Sequence, residues 1–126
     1  MKLIELLSAE AEYSDIQITT TTAVDAGDIA THNDLIGFYP VDIAATTRGS
    51  LIWKARRVRC EKPTDEAWTP GEYLYYDSGE GNITKESSGN TVIGYVYEAA
   101  ATADETGLAV WNGELAAIFA AIDAIT

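Results

Sequence analysis

The side chains that most often carry out catalysis are scarce in this sequence. It has one histidine, His32, and one cysteine, Cys60. A zinc site or a nucleophile–base pair needs at least two such groups close together. His32 is followed by Asn33 and Asp34 and is expected to be exposed in a turn, whereas Cys60 is expected to be a buried, unreactive thiol in a strand. We therefore predict no catalytic, cofactor-binding or metal-binding residues.

The sequence also gives little evidence for phosphate binding or metal binding. None of the lysines follows a glycine, so the chain lacks the phosphate-binding loop of ATPases. The run 77–82 (DSGEGN) faintly resembles a calcium loop, which has an oxygen ligand at every second position, but glycines occupy two of those positions. A hairpin turn between two strands accounts for the same residues, and we favour it. Carboxylates are numerous, yet their spacing singles out no catalytic pair, and a carboxylate-based hydrolase is the weakest of the functions considered.

The basic residues are clustered, and two interpretations of the cluster stay open. Six of the eight lie between positions 48 and 62. They can form a solvated strand face that pairs with nearby acids, for which we expect Glu61, Asp65 and Glu66. Alternatively they form a positive stripe that docks on an acidic partner protein. The residues of that stripe that are candidates for the contact are Arg56, Arg57 and Arg59.

Charge and composition narrow the class of protein. The chain has 126 residues, of which 47% are hydrophobic, and a formal net charge of −12. This is enough chain for one folded domain with a core. The negative charge argues against a nucleic-acid partner, and no apolar run is long enough to span a membrane. The N-terminal residues lack the pattern of a signal peptide, so we expect synthesis in a reducing cytoplasm.

Most of the chain has the pattern of short β-strands. Between positions 15 and 98, β-branched and aromatic runs are separated by turn residues, which predicts a meander of hairpins. In the run 51–60 (LIWKARRVRC) the apolar side chains change from one face of the strand to the other. One extra residue would restore the pattern, so we predict a β-bulge near 55–57. The predicted fold class is all-β: a small barrel or sandwich of seven to eight strands, with a C-terminal α-helix.

The C-terminal residues change to a helical period. Apolar side chains recur at the spacing of one helix face, and Glu114 is placed in the first turn. A lone helix of this length is marginal in water, so its stripe must dock either on its own sheet or on a neighbouring subunit. The predicted organisation is an N-terminal arm or short helix at 1–14, a β-domain at 15–113 and a helix at 114–126. The residues of the stripe are Leu115, Ile118, Phe119, Ile122 and Ile125.

Three segments carry a resemblance to a known family. The runs 67–77 (AWTPGEYLYYD), 89–100 (GNTVIGYVYEAA) and 106–113 (TGLAVWNG) resemble segments of the tailed-phage capsid decoration (cement) proteins, a family formerly mislabelled as recombinase-like. The resemblance covers roughly 23–113. Its motifs consist of structural glycines and aromatic residues. Residues 1–13 and the alanine- and isoleucine-rich tail after Gly113 look additional to the family pattern, and both carry apolar surface that must be covered.

The resemblance implies a structural virion protein, located on the capsid surface, that binds the outside of a phage head and stabilises it. It further implies the major capsid protein as partner and a homo-oligomer, with a trimer favoured. The alternative is a soluble ligand- or glycan-binding module that uses the aromatic surface between Tyr73 and Tyr97. A deep aromatic pocket would favour that alternative, and tyrosines buried in the barrel would favour the first function. Besides the arginines, the expected partner contacts are Leu3, Ile4, Leu6, Leu7, Ile118, Phe119 and Ile122.

Overall fold

The computed structural model describes residues 4–7 and 12–124. Within these residues the chain forms nine β-strands and one α-helix. The predicted class, all-β with a C-terminal helix, is confirmed, although the strands number nine instead of seven to eight. The elements are β1 (Ile4–Leu6), β2 (Tyr13–Thr19), β3 (Ile29–His32), β4 (Leu35–Phe38), β5 (Arg48–Glu61), β6 (Tyr73–Asp77), β7 (Asn82–Thr84), β8 (Thr91–Glu98), β9 (Thr106–Asn112) and α1 (Leu115–Ala124).

The strands belong to a single antiparallel sheet that curls into a half-barrel. The 14-residue strand β5 is its centre. Ile52 pairs with both Asp15 of β2 and Phe38 of β4, and Cys60 pairs with both Ile4 of β1 and Gly107 of β9. Because a residue has one partner on each side, β1 and β2 lie along one edge of β5 and β4 and β9 along the other. From β9 the sheet continues through β8 and β6 to β7.

The bulge predicted in β5 is confirmed. The register with β9 shifts between Ala55 and Val58. As a result Ala55 and Val58 are both buried, while Arg56 and Arg57 between them are exposed. The extra residue therefore keeps the apolar side chains of a long strand facing the core on both sides of the bend.

The concave side of the sheet holds the main core, which is built around large aromatic side chains. Phe38 and Trp111 pack edge to face, with ring centroids 5.1 Å apart. The Trp111 indole N–H donates a 3.0 Å hydrogen bond to the carbonyl of Ile36, so its polar atom is satisfied inside the core. Trp68 is also buried. A smaller cluster of Tyr39, Ile43 and Leu51 lies under β2 and the loop after β4.

Several element boundaries differ from the expected ones. The run of β-branched residues that continues to Val24 is not one strand, because β2 ends at Thr19. The part of the N-terminal segment that is described forms a strand, β1, on the edge of β5. Helix α1 begins at Leu115, so Glu114 directly precedes its first turn instead of lying within it. Within the described residues, no helix is long and apolar enough to cross a membrane.

Candidate functional site

The expected arginines lie on β5 beside the N-terminal segment. Arg56 forms a 3.3 Å ion pair with Glu12, and Arg59 a 3.3 Å ion pair with Glu5. The acids are thus not the neighbours Glu61, Asp65 and Glu66 that the sequence suggested. Both pairs are solvent-exposed, and an exposed pair contributes less than about 1 kcal/mol to stability. The arginines are therefore only weakly held by the chain itself.

Glu66, one of the acids expected to pair with arginine, has another role. Its carboxylate accepts hydrogen bonds from the Trp68 indole N–H at 2.9 Å, from the Thr84 hydroxyl at 2.8 Å and from the backbone N–H of Lys85 at 2.8 Å. These bonds join the loop before β6 to β7. Glu66 is therefore a structural residue of the sheet's far edge.

The N-terminal apolar residues divide between the core and the surface. Leu3 lies outside the described residues. Ile4 is 8% exposed and belongs to the main core cluster, so its side chain packs inside its own fold instead of facing a partner. Leu6 is half-buried and packs against the same cluster, and Leu7 is half-buried beside Arg57. Ile4 was one of the predicted N-terminal contacts. Its buried side chain instead holds β1 on β5.

Helix α1 carries the other predicted contacts, and none of its described residues is buried. Phe119 packs edge to face on Tyr73 of β6, with ring centroids 5.5 Å apart. Ile118 and Ile122 are 44% and 50% exposed. Ile125 lies outside the described residues. The helix is thus docked on its own sheet, with Phe119 on Tyr73 as a ring contact and with further contacts to β4 and β8, while Ile118 and Ile122 still face solvent.

The strand registers connect the helix to the arginines. Tyr73 pairs with Tyr95, and Tyr95 pairs with Val110, so these three side chains share the face of the sheet opposite the core. Val110 in turn lines a shallow cavity of about 360 Å³ together with Arg56. We call the surface formed by these side chains the outer face. It consists of Phe119, Tyr73, Tyr95, Val110 and Arg56.

Sequence reasoning recognised the tyrosine surface but missed its connection to the helix and the arginines. The two sets of predicted contacts lie more than 50 positions apart in the chain, and they meet only through the pairing of β6, β8 and β9. Tyr73 and Tyr95 are 49% and 39% exposed, whereas most large apolar side chains of the sheet are buried. Exposed tyrosines at opposed positions of two strands are the signal that could have found it.

Cys60, His32 and the run 77–82 lie in the surroundings that the sequence analysis expected for them. Cys60 is buried, and this burial raises the pKa of its thiol, so it is an unreactive side chain as predicted. His32 is exposed at the end of β3, directly before a turn. The run 77–82 is the turn of the β6–β7 hairpin, where the Asp77 carboxylate accepts hydrogen bonds from the backbone N–H groups of Gly79 and Glu80. Within the described residues, no group of three potential metal ligands is found.

A deep aromatic pocket would favour a ligand-binding module, and tyrosines buried in the barrel would favour a capsid protein. The structure shows neither arrangement. Tyr73 and Tyr95 are exposed on the outer face, while the tyrosines at 75, 76 and 97 are half-buried. The tyrosines of β6 and β8 do not line the cavities described for this chain, and a cavity of about 500 Å³ is lined instead by loop residues around Lys62 and Asn82. The exposed Tyr73 and Tyr95 thus lie outside the cavities described here, whereas a small-ligand site is typically a cleft.

A comparison with protein families decides the assignment. The family model for phage cement proteins matches residues 9–110, which includes β2 to β8 and most of β9. The chain belongs to the phage cement protein family. The family indicates a structural role in the virion. No curated protein and no solved structure gave a match. Helix α1 lies outside the matched residues, so the apolar surface it adds is not part of the family pattern that was matched.

Proposed function

We propose that this cement protein binds the outer surface of a phage head, contacts the major capsid protein and stabilises the assembled shell. The observation that carries the proposal is the family match over 9–110, which spans almost the whole sheet. By mass action, a protein that binds the mature shell and not its unexpanded precursor stabilises the mature state. The protein would be made in the host cytoplasm and would then be located on the capsid surface.

The outer face is the best candidate for the contact. Aromatic residues and arginine are enriched in protein interfaces, and the outer face combines Tyr73, Tyr95 and Phe119 with Arg56. Arg57 and Arg59 lie beside it on β5, and Ile118 and Ile122 extend it along α1. A contiguous apolar surface of this kind is unusual on an isolated soluble domain.

The charge of the protein favours a location outside the shell. A net charge of −12 repels the phosphate backbone of DNA and keeps the free protein soluble at high concentration. We propose a homo-oligomer, with a trimer favoured, as the unit that binds. Sedimentation velocity of the purified protein measures that state directly: a trimer supports this part of the proposal, and a monomer at all concentrations contradicts it.

The central experiment compares two forms of the shell. Purified protein is mixed with mature heads lacking it and with unexpanded heads, and the bound fraction is measured by co-sedimentation. We expect saturable binding to mature heads only, together with a higher melting temperature of those heads. Equal binding to both forms would contradict the expanded-shell proposal, and absence of binding to either would contradict the function.

A pair of surface variants tests the outer face. Replacing both Tyr73 and Tyr95 with serine removes two exposed aromatic anchors, and we expect affinity for mature heads to fall about tenfold or more. Val41→Ser is the control, because Val41 is 60% exposed in the loop after β4 and is not one of the outer-face residues. If the double variant binds like the wild type, the contact lies elsewhere on the molecule.

A further inference from the structure

The N-terminal segment contacts each of the three β5 arginines that the sequence suggested as partner contacts. We call these arginines the arginine stripe. It consists of Arg56, Arg57 and Arg59. Arg56 pairs with Glu12 and Arg59 with Glu5, with 3.3 Å between nitrogen and oxygen in both pairs. Arg57 donates a long hydrogen bond, of 3.5 Å, to the carbonyl of Leu7. These acceptors all come from one short segment, 5–12.

The backbone of this segment is held on β5 by contacts other than the ion pairs. Ile4 packs in the main core, and the register of β1 on β5 places Glu5 opposite Arg59. The backbone N–H of Leu7 donates a 3.0 Å hydrogen bond to a carbonyl of β5. The carboxylates of Glu5 and Glu12 are therefore tethered beside the arginines, which gives them a high effective concentration there.

The side chains of the two ion pairs are accessible to a partner. Those of Arg56 and Glu12 are 66% and 40% exposed, and those of Arg59 and Glu5 are 42% and 48% exposed. An exposed ion pair is weak, because water and salt compete for both groups. A carboxylate of another protein can therefore replace Glu5 or Glu12 when their side chains rotate away, while the backbone of β1 stays on β5.

The ion pairs also indicate what kind of partner the arginine stripe accepts. Carboxylates already bind two of its guanidinium groups, and an acidic segment of a partner offers the same groups. In a protein contact such a pair is removed from water and becomes stronger than the exposed pair it replaces. Arg56 also belongs to the outer face, the proposed contact with the shell, so the two surfaces are continuous. This continuity favours an acidic segment of the shell protein.

We propose that the N-terminal segment is an intramolecular competitor for the arginine stripe, and that an acidic segment of the capsid shell protein displaces Glu5 and Glu12, an inference that rests on the proposed function. The competitor weakens contacts with anions that touch the stripe alone. A partner that also covers the outer face overcomes it. Strand β1, with Glu5, lies outside the residues 9–110 matched by the family model, so this part of the competitor is additional to the matched pattern.

The first test measures the competition without the shell. The probe is a short poly-L-glutamate peptide at about 0.1 M salt, where the repulsion by the rest of the chain is largely screened. We expect E5Q/E12Q to bind it about threefold more tightly than the wild type, or better, because two competing carboxylates are gone. E80Q/E86Q is the matched control: it removes the same charge from two exposed acids near the β6–β7 hairpin and should bind like the wild type. Adding R56Q/R59Q to E5Q/E12Q should abolish the gain. Circular dichroism confirms that each variant is folded.

The second test repeats the comparison on mature heads by co-sedimentation. We expect E5Q/E12Q to bind about threefold more tightly than the wild type, and R56Q/R59Q to bind at least about threefold more weakly. E80Q/E86Q should again bind like the wild type. Sedimentation velocity of E5Q/E12Q should show the same oligomer as the wild type, because the stripe is expected to bind the shell and not a second copy.

The outcomes separate the inference from the function it rests on. If E5Q/E12Q and E80Q/E86Q bind the peptide equally, the segment is not a competitor and the inference is wrong, while the proposed function stands. A gain on the peptide without a gain on heads contradicts displacement by the shell. A larger oligomer of E5Q/E12Q assigns the stripe to a second copy and contradicts it as well. If the wild type does not bind heads, the proposed function fails, and the peptide result alone decides whether the segment competes.

Discussion

At the scale of single residues, the most informative side chain is a carboxylate that does no chemistry. Glu66 accepts three hydrogen bonds, from Trp68, Thr84 and the backbone of Lys85. Trp68 is 1% exposed and Thr84 4%, so water cannot easily replace the acceptor. Hydrogen bonds to a charged group are stronger than neutral ones, and buried donors left unpaired are costly.

Replacing Glu66 should therefore destabilise the fold. We expect Glu66→Ala to lower the free energy of unfolding by about 2–3 kcal/mol, measured by urea denaturation. Asp65→Ala is the control, because Asp65 is exposed next to it and should change stability by less than about 0.5 kcal/mol. Similar small effects for both variants would show that the three hydrogen bonds do not hold the loop to β7.

Gly113 joins three strands and the helix. Its N–H donates a 2.6 Å hydrogen bond to the carbonyl of Trp53, and its carbonyl accepts one from Ile36, so it links β4 and β5 at the end of β9. A Cβ atom built here would collide with the carbonyl oxygen of Ile36 and lie 2.9 Å from that of Trp53. Backbone atoms cannot rotate away as a side chain can.

We expect Gly113→Ala to cost about 3 kcal/mol of stability, the upper part of the range for overpacking. The same urea titration measures it. Gly79→Ala is the control, since its added methyl would meet only the Asp77 carboxylate at 3.3 Å in an exposed turn. A loss below about 1 kcal/mol at Gly113 would mean that β4 can move away from β9 at little cost.

At the scale of elements, the sequence predicted those features that depend on the spacing of residues close together in the chain. The change of face within 51–60 was enough to predict the bulge, because side-chain alternation is fixed by the backbone. The β6–β7 hairpin followed from its turn residues. The predicted meander is wrong at the next step, because β8 pairs with β6 and β9 instead of β7. Strand β1 has only three residues, and its place is set by Ile4 entering a core that distant strands build. No local pattern contains that information.

The candidate site was only partly predictable for the same reason. The arginines and the helix stripe were recognised as separate contacts from their residue types. The two contacts are connected through Tyr73, Tyr95 and Val110. This connection depends on the register of β6 with β8 and on that of β8 with β9. The place where α1 begins beside β4 is set by the hydrogen bond between Ile36 and Gly113, 77 positions apart. Contacts of this range are decided by the packing of the whole sheet.

Helix α1 should be separable from the sheet. None of its described residues is buried, and its aromatic contact is that of Phe119 on Tyr73. We expect a chain ending at Gly113 to keep its β-sheet spectrum and to lose roughly 2–3 kcal/mol of stability, because the edge-to-face pair adds about 1 kcal/mol to the apolar area that the half-buried Leu115 and Phe119 cover. Its binding to mature heads should be much weaker. Phe119→Ala in the full chain is the control for the aromatic contact.

Two results would contradict this separation. An unfolded truncated chain would show that the helix is needed for the core. A truncated chain that binds heads as well as the full protein would show that α1 is not a contact. Sedimentation of the same chain tests whether the helix joins subunits, since an unchanged oligomer would exclude that role.

At the scale of the whole molecule, charge acts in opposite directions on folding and on binding. The net charge of −12 makes the folded chain repel itself, and this repulsion acts over distances that salt screens effectively. The favourable pairs, Arg56 with Glu12 and Arg59 with Glu5, are exposed and contribute less than about 1 kcal/mol each. Twelve excess negative charges should outweigh them, so screening should stabilise the isolated protein.

We therefore expect the melting temperature of the free protein to rise by about 3–5 °C between low and roughly molar NaCl, which corresponds to about 1 kcal/mol. KCl should give the same shift, because screening does not depend on the identity of the cation. Binding to mature heads should weaken over the same range if the exposed arginines of β5 are partner contacts, because salt screens contacts between charged groups. A melting temperature that falls with salt would mean that the ion pairs of β5 outweigh the self-repulsion.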